Sequence, residues 1–316
     1  MAAVEVVAPA LATALSGNAI TAERYVEVFA ELGHASKAVS HPGGEADVVV
    51  ALNAYRSARA IESAAAGRSL VVVVLTGTDI YRFLRSDPDV VLGGLARADR
   101  IVGLNDRIGD DLEPHHRSRL DIIHEGAAQS VVTRDAASTE FGVAVVGHLR
   151  DEKDPCTVAA AVRDLPTDSR VVVNHYGAAH TKEWAEWARA EVSANPRYRW
   201  YGEVPRERIA SIYSRSRVLV NSSIMEGGAN AISEAVMASL PILASDIPGN
   251  VGVLGDMYPG YFPVGDASTL RQALLGIEQR PDRFAELETA VVGLQQRLNL
   301  DVERRRWSAL FTELGV

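Results

Sequence analysis

The chain has 316 residues, 47% of them hydrophobic and 23% charged, with a formal net charge of −9. That length suits two hydrophobic cores of roughly 150 residues each. The charge is spread evenly, with 13 basic and 18 acidic side chains over residues 1–138 against 19 and 23 over the rest, so neither half is a basic surface for nucleic acid or anionic lipid. The single cysteine, Cys156, excludes an intramolecular disulfide and a cysteine-based metal cluster, and reads as a half-buried helix residue of a protein kept in a reducing compartment. The opening MAAVEVVAPA lacks the basic start and long apolar run of a signal peptide. No stretch approaches the roughly 18 apolar residues of a membrane span. The expectation is a cytoplasmic protein, monomer or homodimer, with no nucleic-acid partner and no stable membrane association.

Short β-branched runs alternate with amphipathic stretches, the pattern of parallel strands joined by crossover helices. In the first half, strands are predicted at Val4 to Ala8, Asp47 to Leu52, Leu70 to Leu75, Arg100 to Leu104 and Leu120 to His124. A helix is predicted over Ala19 to Leu32, where Ala22, Val26, Phe29 and Leu32 recur at helical spacing and Gly33 supplies the stop. Residues 125–140 carry small and polar residues without an apolar period and read as a linker between domains 1–138 and 139–298. A second series follows, with strands at Phe141 to Val146, Arg170 to His175, Tyr198 to Tyr201, Arg217 to Asn221 and Pro241 to Ser245. From about Ser268 the pattern is helix only. The last segment, 299–316, carries Trp307, Leu310 and Phe311 on a charged stretch and is predicted to cross back to the first domain. The fold class is therefore α/β, two Rossmann-like doubly wound domains facing across a cleft, with C-terminal helices packing across the junction.

Ligands of such sheets bind beyond the carboxyl ends of the strands, so the residues just after strands carry the chemistry. The strongest segment is SSIMEGGANAISEAVMASLPILASDIPGN, Ser222 to Asn250. Gly227, Gly228 and Ala229 leave the backbone bare where Asn230 opens a helix, and unpaired N–H groups at a helix start suit a phosphate or diphosphate. Glu226 precedes the turn and Glu234 lies eight positions later. A carboxylate beside a diphosphate would be repelled, so each is better suited to accept hydrogen bonds from sugar or ribose hydroxyls. A second segment, VVGHLRDEKDP, sets Arg150 and Lys153 after the first strand of the second domain, where two cations would neutralise a leaving diphosphate. Ser16-Gly17-Asn18, running into the first helix, is either a further phosphate loop or an ordinary cap.

Here the sequence resembles the retaining glycosyltransferases of family four, which have the two-domain GT-B architecture and two glutamates separated by seven residues, the spacing of Glu226 and Glu234. The resemblance implies that Glu226 and the adjacent Gly227, Gly228, Ala229 and Asn230 hold the transferred sugar and the diphosphate, that Glu234 binds ribose, and that Lys153 binds the diphosphate. It also brings the loop with Gly17 and Asn18 against the donor phosphates. The family often has arginine directly after the glycine of the second segment. This chain has His148 there and Arg150 two positions on, so either side chain is a candidate for that role. The catalytic candidates are Glu226, Lys153 and Arg150.

Finer wording narrows the resemblance. LTGTDIYR at Leu75 to Arg82, GHLRDEKDP, EGGANAISEA and DIPGNVGVLGDMYPGYFPVGD are similar to the selenosugar synthases of selenoneine biosynthesis. That resemblance implies a UDP-sugar donor, UDP-N-acetylglucosamine or UDP-glucose, and selenophosphate as acceptor, with a 1-selenosugar, UDP and phosphate as products. Selenophosphate is already anionic and needs positioning more than deprotonation. Arg56, Arg82 and His124, each near a strand end, are candidates to hold it, and Asp79 to contact the sugar or orient a cation. Asp87-Pro88-Asp89 mimics a metal motif but lies away from any strand end, so no metal or other cofactor is expected. The alternatives are a conventional family-four enzyme acting on a hydroxyl, a UDP-sugar epimerase, and a nucleotide-sugar sensor without activity.

Overall fold

The computed structural model describes residues 1–9, 11, 17–130 and 139–316. Ser16 of the candidate phosphate loop and residues 131–138 of the expected linker lie outside the described residues. In chain order the elements are β1 (Ala3–Val7), α1 (Gly17–Glu31), β2 (Ala35–Val39), β3 (Val48–Leu52), α2 (Ala58–Ala65), β4 (Leu70–Leu75), α3 (Leu84–Ser86), α4 (Pro88–Arg97), β5 (Arg100–Gly103), α5 (Pro114–Arg117) and β6 (Leu120–Ile122). The second series is β7 (Phe141–Val146), α6 (Pro155–Arg163), β8 (Val171–Tyr176), α7 (Lys182–Ala194), β9 (Tyr198–Trp200), α8 (Ile209–Ser214), β10 (Val218–Asn221), α9 (Asn230–Met237), β11 (Ile242–Ser245), α10 (Pro248–Leu254) and β12 (Tyr261–Phe262). Three helices close the chain: α11 (Ala267–Gln279), α12 (Pro281–Leu294) and α13 (Leu300–Leu314).

The chain divides into two compact units, the first Met1–His124, Glu226–Gly228 and Asp301–Val316, the second Glu125–Met225 and Ala229–Leu300. Each contains one six-stranded sheet, all its strand pairs parallel, in the orders β2-β1-β3-β4-β5-β6 and β12-β11-β10-β7-β8-β9. Ten of the twelve strands coincide with the predicted runs to within a few residues. The other two, β2 and β12, are edge strands without an apolar run.

In the first unit the valine runs are buried at every position because both sheet faces are covered. Val48, Val50 and Leu52 face one core with Tyr25, Phe29 and Trp307, while Val49 and Ala51 face the other with Ile61 and Leu95. The charged segment α13 packs into the first of these cores. Trp307 is fully buried, with its ring centroid 4.9 Å from that of Tyr25 and 5.0 Å from that of Phe29 in edge-on geometry. Beside it the equally buried Arg24 and Glu303 approach to 3.4 Å. In the second unit a single extended core runs from Val143 and Val173 through Val220 and Ile242 to Leu270 and Leu274.

Each strand order contains one reversal. From β1 the first chain segment moves to β2 on one side, then crosses to β3 on the other, so the crevice between β1 and β3 is a switch point. In the second sheet the chain runs from β7 through β8 to β9 and then returns to place β10 on the opposite side of β7. Crossover helices leaving in opposite directions open a gap at such a point, where ligands of doubly wound sheets bind.

Candidate functional site

The switch point of the second sheet lies between β7 and β10, and the loops leaving those two strands are the two the sequence marks. After β7 the chain passes Gly147 and His148 to a short 3-10 turn, Asp151–Lys153, and then to α6. Asp154 holds the junction in a left-handed conformation at φ +40° and caps α6, its carboxylate accepting from the Thr157 N–H at 3.2 Å. After β10, the Ser222 hydroxyl lies 2.9 Å from both the Lys153 and Asp154 carbonyls, and the Ile224 N–H donates to the Glu152 carbonyl at 2.9 Å. The Arg150–Lys153 turn and the start of the Ser222–Met225 loop are thus fixed to each other.

His175, at the end of β8, props the other side of the first loop. Its Nε2 lies 2.9 Å from the Gly147 carbonyl, which can only accept, so Nε2 carries the proton and Nδ1 accepts from the Tyr198 hydroxyl at 2.7 Å. Burial, which disfavours the imidazolium, lowers the His175 pKa to about 4. The chain just after β8 approaches equally closely. A Cβ placed on Gly177 would stand 2.0 Å from the Gly147 carbonyl oxygen, so only glycine allows this contact. His148 turns to the same neighbour, its Nδ1 accepting from the Ala178 N–H at 3.1 Å. Arg150 points elsewhere, its Nε 3.8 Å from a Glu152 carboxylate oxygen. The aliphatic stem of Lys153 covers Gly147, with its Cδ 3.5 Å from the position a Cβ would take there.

Helix α9 begins at Asn230, and Ala229 before it offers no side-chain cap. One turn into α9, the Glu234 carboxylate lies 3.2 Å from the buried hydroxyl of Tyr213, whose pKa is raised well above its ordinary value by burial and by that neighbouring charge. Tyr213 is therefore a donor that orients Glu234, a role its position in SIYSRS did not signal. Beneath the loop, the buried Asn250 amide donates to the Ser245 carbonyl at 2.9 Å, and the Ser245 hydroxyl donates to the Ser223 carbonyl. Asn250 of DIPGN thus supports the loop after β10 through Ser245.

Glu226–Gly228 belong to the first compact unit. There Gly227 lies so close to the end of β4 that a Cβ on it would be 2.3 Å from the Thr76 carbonyl carbon, and one on Gly77, at φ +99°, would be 2.5 Å from the Gly227 nitrogen. The fully buried Asn105 donates to the Gly227 carbonyl at 2.6 Å. Glu226 is itself buried, at 8% exposure. Gly17 and Asn18 form the first turn of α1.

The four acceptor candidates occupy three strand ends of the first sheet. Asp79 is fully buried after β4, its carboxylate accepting from the N–H groups of Ala54 at 3.0 Å and Thr76 at 3.1 Å. Desolvation, partly offset by those donors, raises its pKa to about 6. It therefore ties β4 to the turn that carries Arg56. Arg82 is half-buried three residues further on. His124, after β6, has its Nε2 3.1 Å from an Asp106 carboxylate oxygen. Among the described residues no group of three or more metal-ligating side chains is assembled. Nor, among them, is any helix long and apolar enough to cross a membrane.

Residues 133–287, which hold β7 to α11 and every second-unit residue of the proposed donor set, match the family described as Glycosyl transferases group 1. This segment is a group 1 glycosyltransferase domain. A 52-residue stretch is 44% identical to Glycosyltransferase 1 domain-containing protein 1 of Xenopus tropicalis, covering 16% of this chain and 15% of that protein. The fold, GT-B, is shared more widely. Sucrose-phosphate synthase of Thermosynechococcus elongatus superposes with a TM-score of 0.82 at 16% identity over 99% of both chains. Anabaena HepE in complex with UDP and glucose does so with a TM-score of 0.78 at 12% identity, over 98% of this chain and 99% of that one. The group 1 domain thus contains both loops that flank the switch point of its sheet.

Proposed function

We propose that the protein transfers a sugar from a UDP-sugar, UDP-glucose or UDP-N-acetylglucosamine, to selenophosphate. The observation that carries the donor half is the meeting of the Gly147–Lys153 and Ser222–Met225 loops at the switch point of a group 1 glycosyltransferase domain. Complexes of the structurally similar HepE with UDP and with UDP-glucose support a UDP-sugar. In this reading Glu226 binds the transferred sugar, Glu234 accepts from ribose hydroxyls, and the uncapped start of α9 with Lys153 and Arg150 stabilises the departing diphosphate without a metal. Gly17, Asn18 and His148 complete the donor set.

Selenium attacks the anomeric carbon as the bond from that carbon to the diphosphate oxygen breaks, and the electron pair leaves with UDP. Water then cleaves the selenium–phosphorus bond, giving phosphate and the 1-selenosugar. An anionic nucleophile of this kind is held by cations, and Arg56 and Arg82 supply them on the first unit.

One observation favours a second reading, transfer to a hydroxyl. The pairing of His124 with Asp106 is the arrangement of an oriented general base. Mass spectrometry of a reaction with UDP-sugar and selenophosphate decides between them. A selenosugar formed from selenophosphate supports the first reading. UDP release only with a hydroxyl acceptor, lost in His124→Ala, would sink it.

A further inference from the structure

The first sheet has a switch point too, and a cavity of about 680 Å³ opens there. That volume is within the range of small-molecule sites. Its walls come from the chain leaving all three strands that define the point: Pro9 after β1, His41 after β2, and Tyr55 through Ala60 after β3, closed on the far side by α4. The turn after β3 is rigidly built. Asn53, left-handed at φ 70° and 1% exposed, donates to the hydroxyls of Thr76 and Thr78 at 2.8 and 2.9 Å and accepts from the Arg56 N–H at 2.9 Å. The buried Asp79 takes the neighbouring Ala54 N–H, and the Tyr55 ring stacks on Phe83 at 3.8 Å.

That rigid turn and the start of α2 present two cations without compensation. Among the described residues neither the Arg56 nor the Arg59 guanidinium has a hydrogen bond or an ion pair. The third arginine of the wall, Arg97, is already engaged, donating to the Gly93 carbonyl at 2.7 Å and standing 3.6 Å from Glu62. Asp89 is then the one unengaged acid against two unengaged cations in the lining. The first turn of α2 adds its own donors, because the Ser57 hydroxyl donates to the Leu52 carbonyl at 2.7 Å instead of capping the helix. Guanidinium pairs of this kind match the planar faces of a tetrahedral oxyanion.

We infer that this cavity is an oxyanion site in which Arg56 and Arg59 hold the phosphate-type group of the anionic acceptor, an assignment of occupant that rests on the proposed transfer to selenophosphate. Inorganic phosphate, itself a product of that transfer, offers the same chemistry and serves as the probe. Calorimetric titration of the full chain saturated with UDP should show one saturable site for phosphate. The double variant Arg56→Ala/Arg59→Ala should weaken it by about tenfold or more, with UDP affinity unchanged as a check on the fold. In turnover, phosphate should compete with selenophosphate, and the double variant should raise the KM for selenophosphate while leaving that for UDP-sugar in place. Equal phosphate affinity in wild type and variant, or no saturable binding to wild type, overturns the site. Phosphate that binds through the two arginines without competing against selenophosphate overturns the acceptor assignment. Absence of any turnover with selenophosphate, with phosphate binding still lost in the variant, would discard the proposed reaction and leave the oxyanion site standing.

Discussion

At the scale of single residues, the donor reading makes charge and hydrogen-bond demands that substitution can separate from folding. Glu226→Gln removes the anion that would accept two sugar hydroxyls, and Lys153→Ala removes a cation from the departing diphosphate. Each is expected to lower kcat/KM for UDP-sugar by about tenfold or more, with an unchanged thermal transition; unaltered rates in both would remove the site assignment. His175 makes a different demand. The folded protein keeps it neutral down to about pH 4, whereas the unfolded chain takes up a proton at the ordinary value of 6.5. Between these values the unfolded state binds more protons, so the stability contributed by burying neutral His175 is complete above pH 6.5 and is lost as pH falls towards 4. The loss is on the order of 3 kcal/mol. Asp79 in the first unit has the opposite sign: its carboxyl is protonated more readily folded than unfolded, so its contribution falls as pH rises from 3.8 to about 6. Urea unfolding of the second unit at pH 7.5 and 5.0 should therefore show a larger loss in wild type than in His175→Gln. Equal losses would show that His175 titrates normally.

At the scale of elements, most of the architecture was legible because a strand buried on both faces must be apolar at every position, and VVVAL and LVVVVL are. β2, with the sequence ASKAV, escaped because an edge strand half-exposed to water has no such requirement. β12, only two residues long, has no room for a period. The donor loops were readable for a related reason: bare glycines followed by a helix advertise free N–H groups whatever surrounds them. What holds those loops was not readable. That Tyr198 would meet His175, or Asn105 would meet Gly227, depends on which strand ends become neighbours, and sheet order is set by crossovers rather than by any local pattern. Gly227 shows the consequence. Its sequence context marks it as a phosphate turn, but the tightest constraint on it is the Thr76 backbone. Gly227→Ala would put a methyl group 2.3 Å from the Thr76 carbonyl carbon, and relief requires the loop to move. The expected result is a loss of activity comparable to that of Glu226→Gln with the donor otherwise bindable, measured as kcat against UDP affinity. Wild-type activity in Gly227→Ala would mean that this approach is not needed for turnover.

At the scale of the whole molecule, the last sixteen residues, Asp301–Val316, belong to the first compact unit although the chain before them builds the second. Two features of α13 account for this. The aromatic cluster of Trp307 and Phe311 with Tyr25 and Phe29 supplies apolar burial, about 3 kcal/mol for a side chain of this class. The Arg24–Glu303 pair, at 5% and 0% side-chain exposure, supplies register, since a helix rotated away from it would separate two buried opposite charges. Removing one member should therefore cost more than the pair contributes. The four tryptophans make this measurable, because Trp184, Trp187 and Trp200 lie in the second unit and Trp307 alone lies in the first. In a background with the first three replaced by phenylalanine, Glu303→Ala should lower the unfolding free energy seen by Trp307 by about 3–5 kcal/mol. Arg24→Met/Glu303→Leu, which removes both charges and keeps the volume, should recover most of that loss. If Glu303→Ala leaves the Trp307 transition in place, the pair does not fix α13, and the aromatic cluster alone accounts for its return to the first unit.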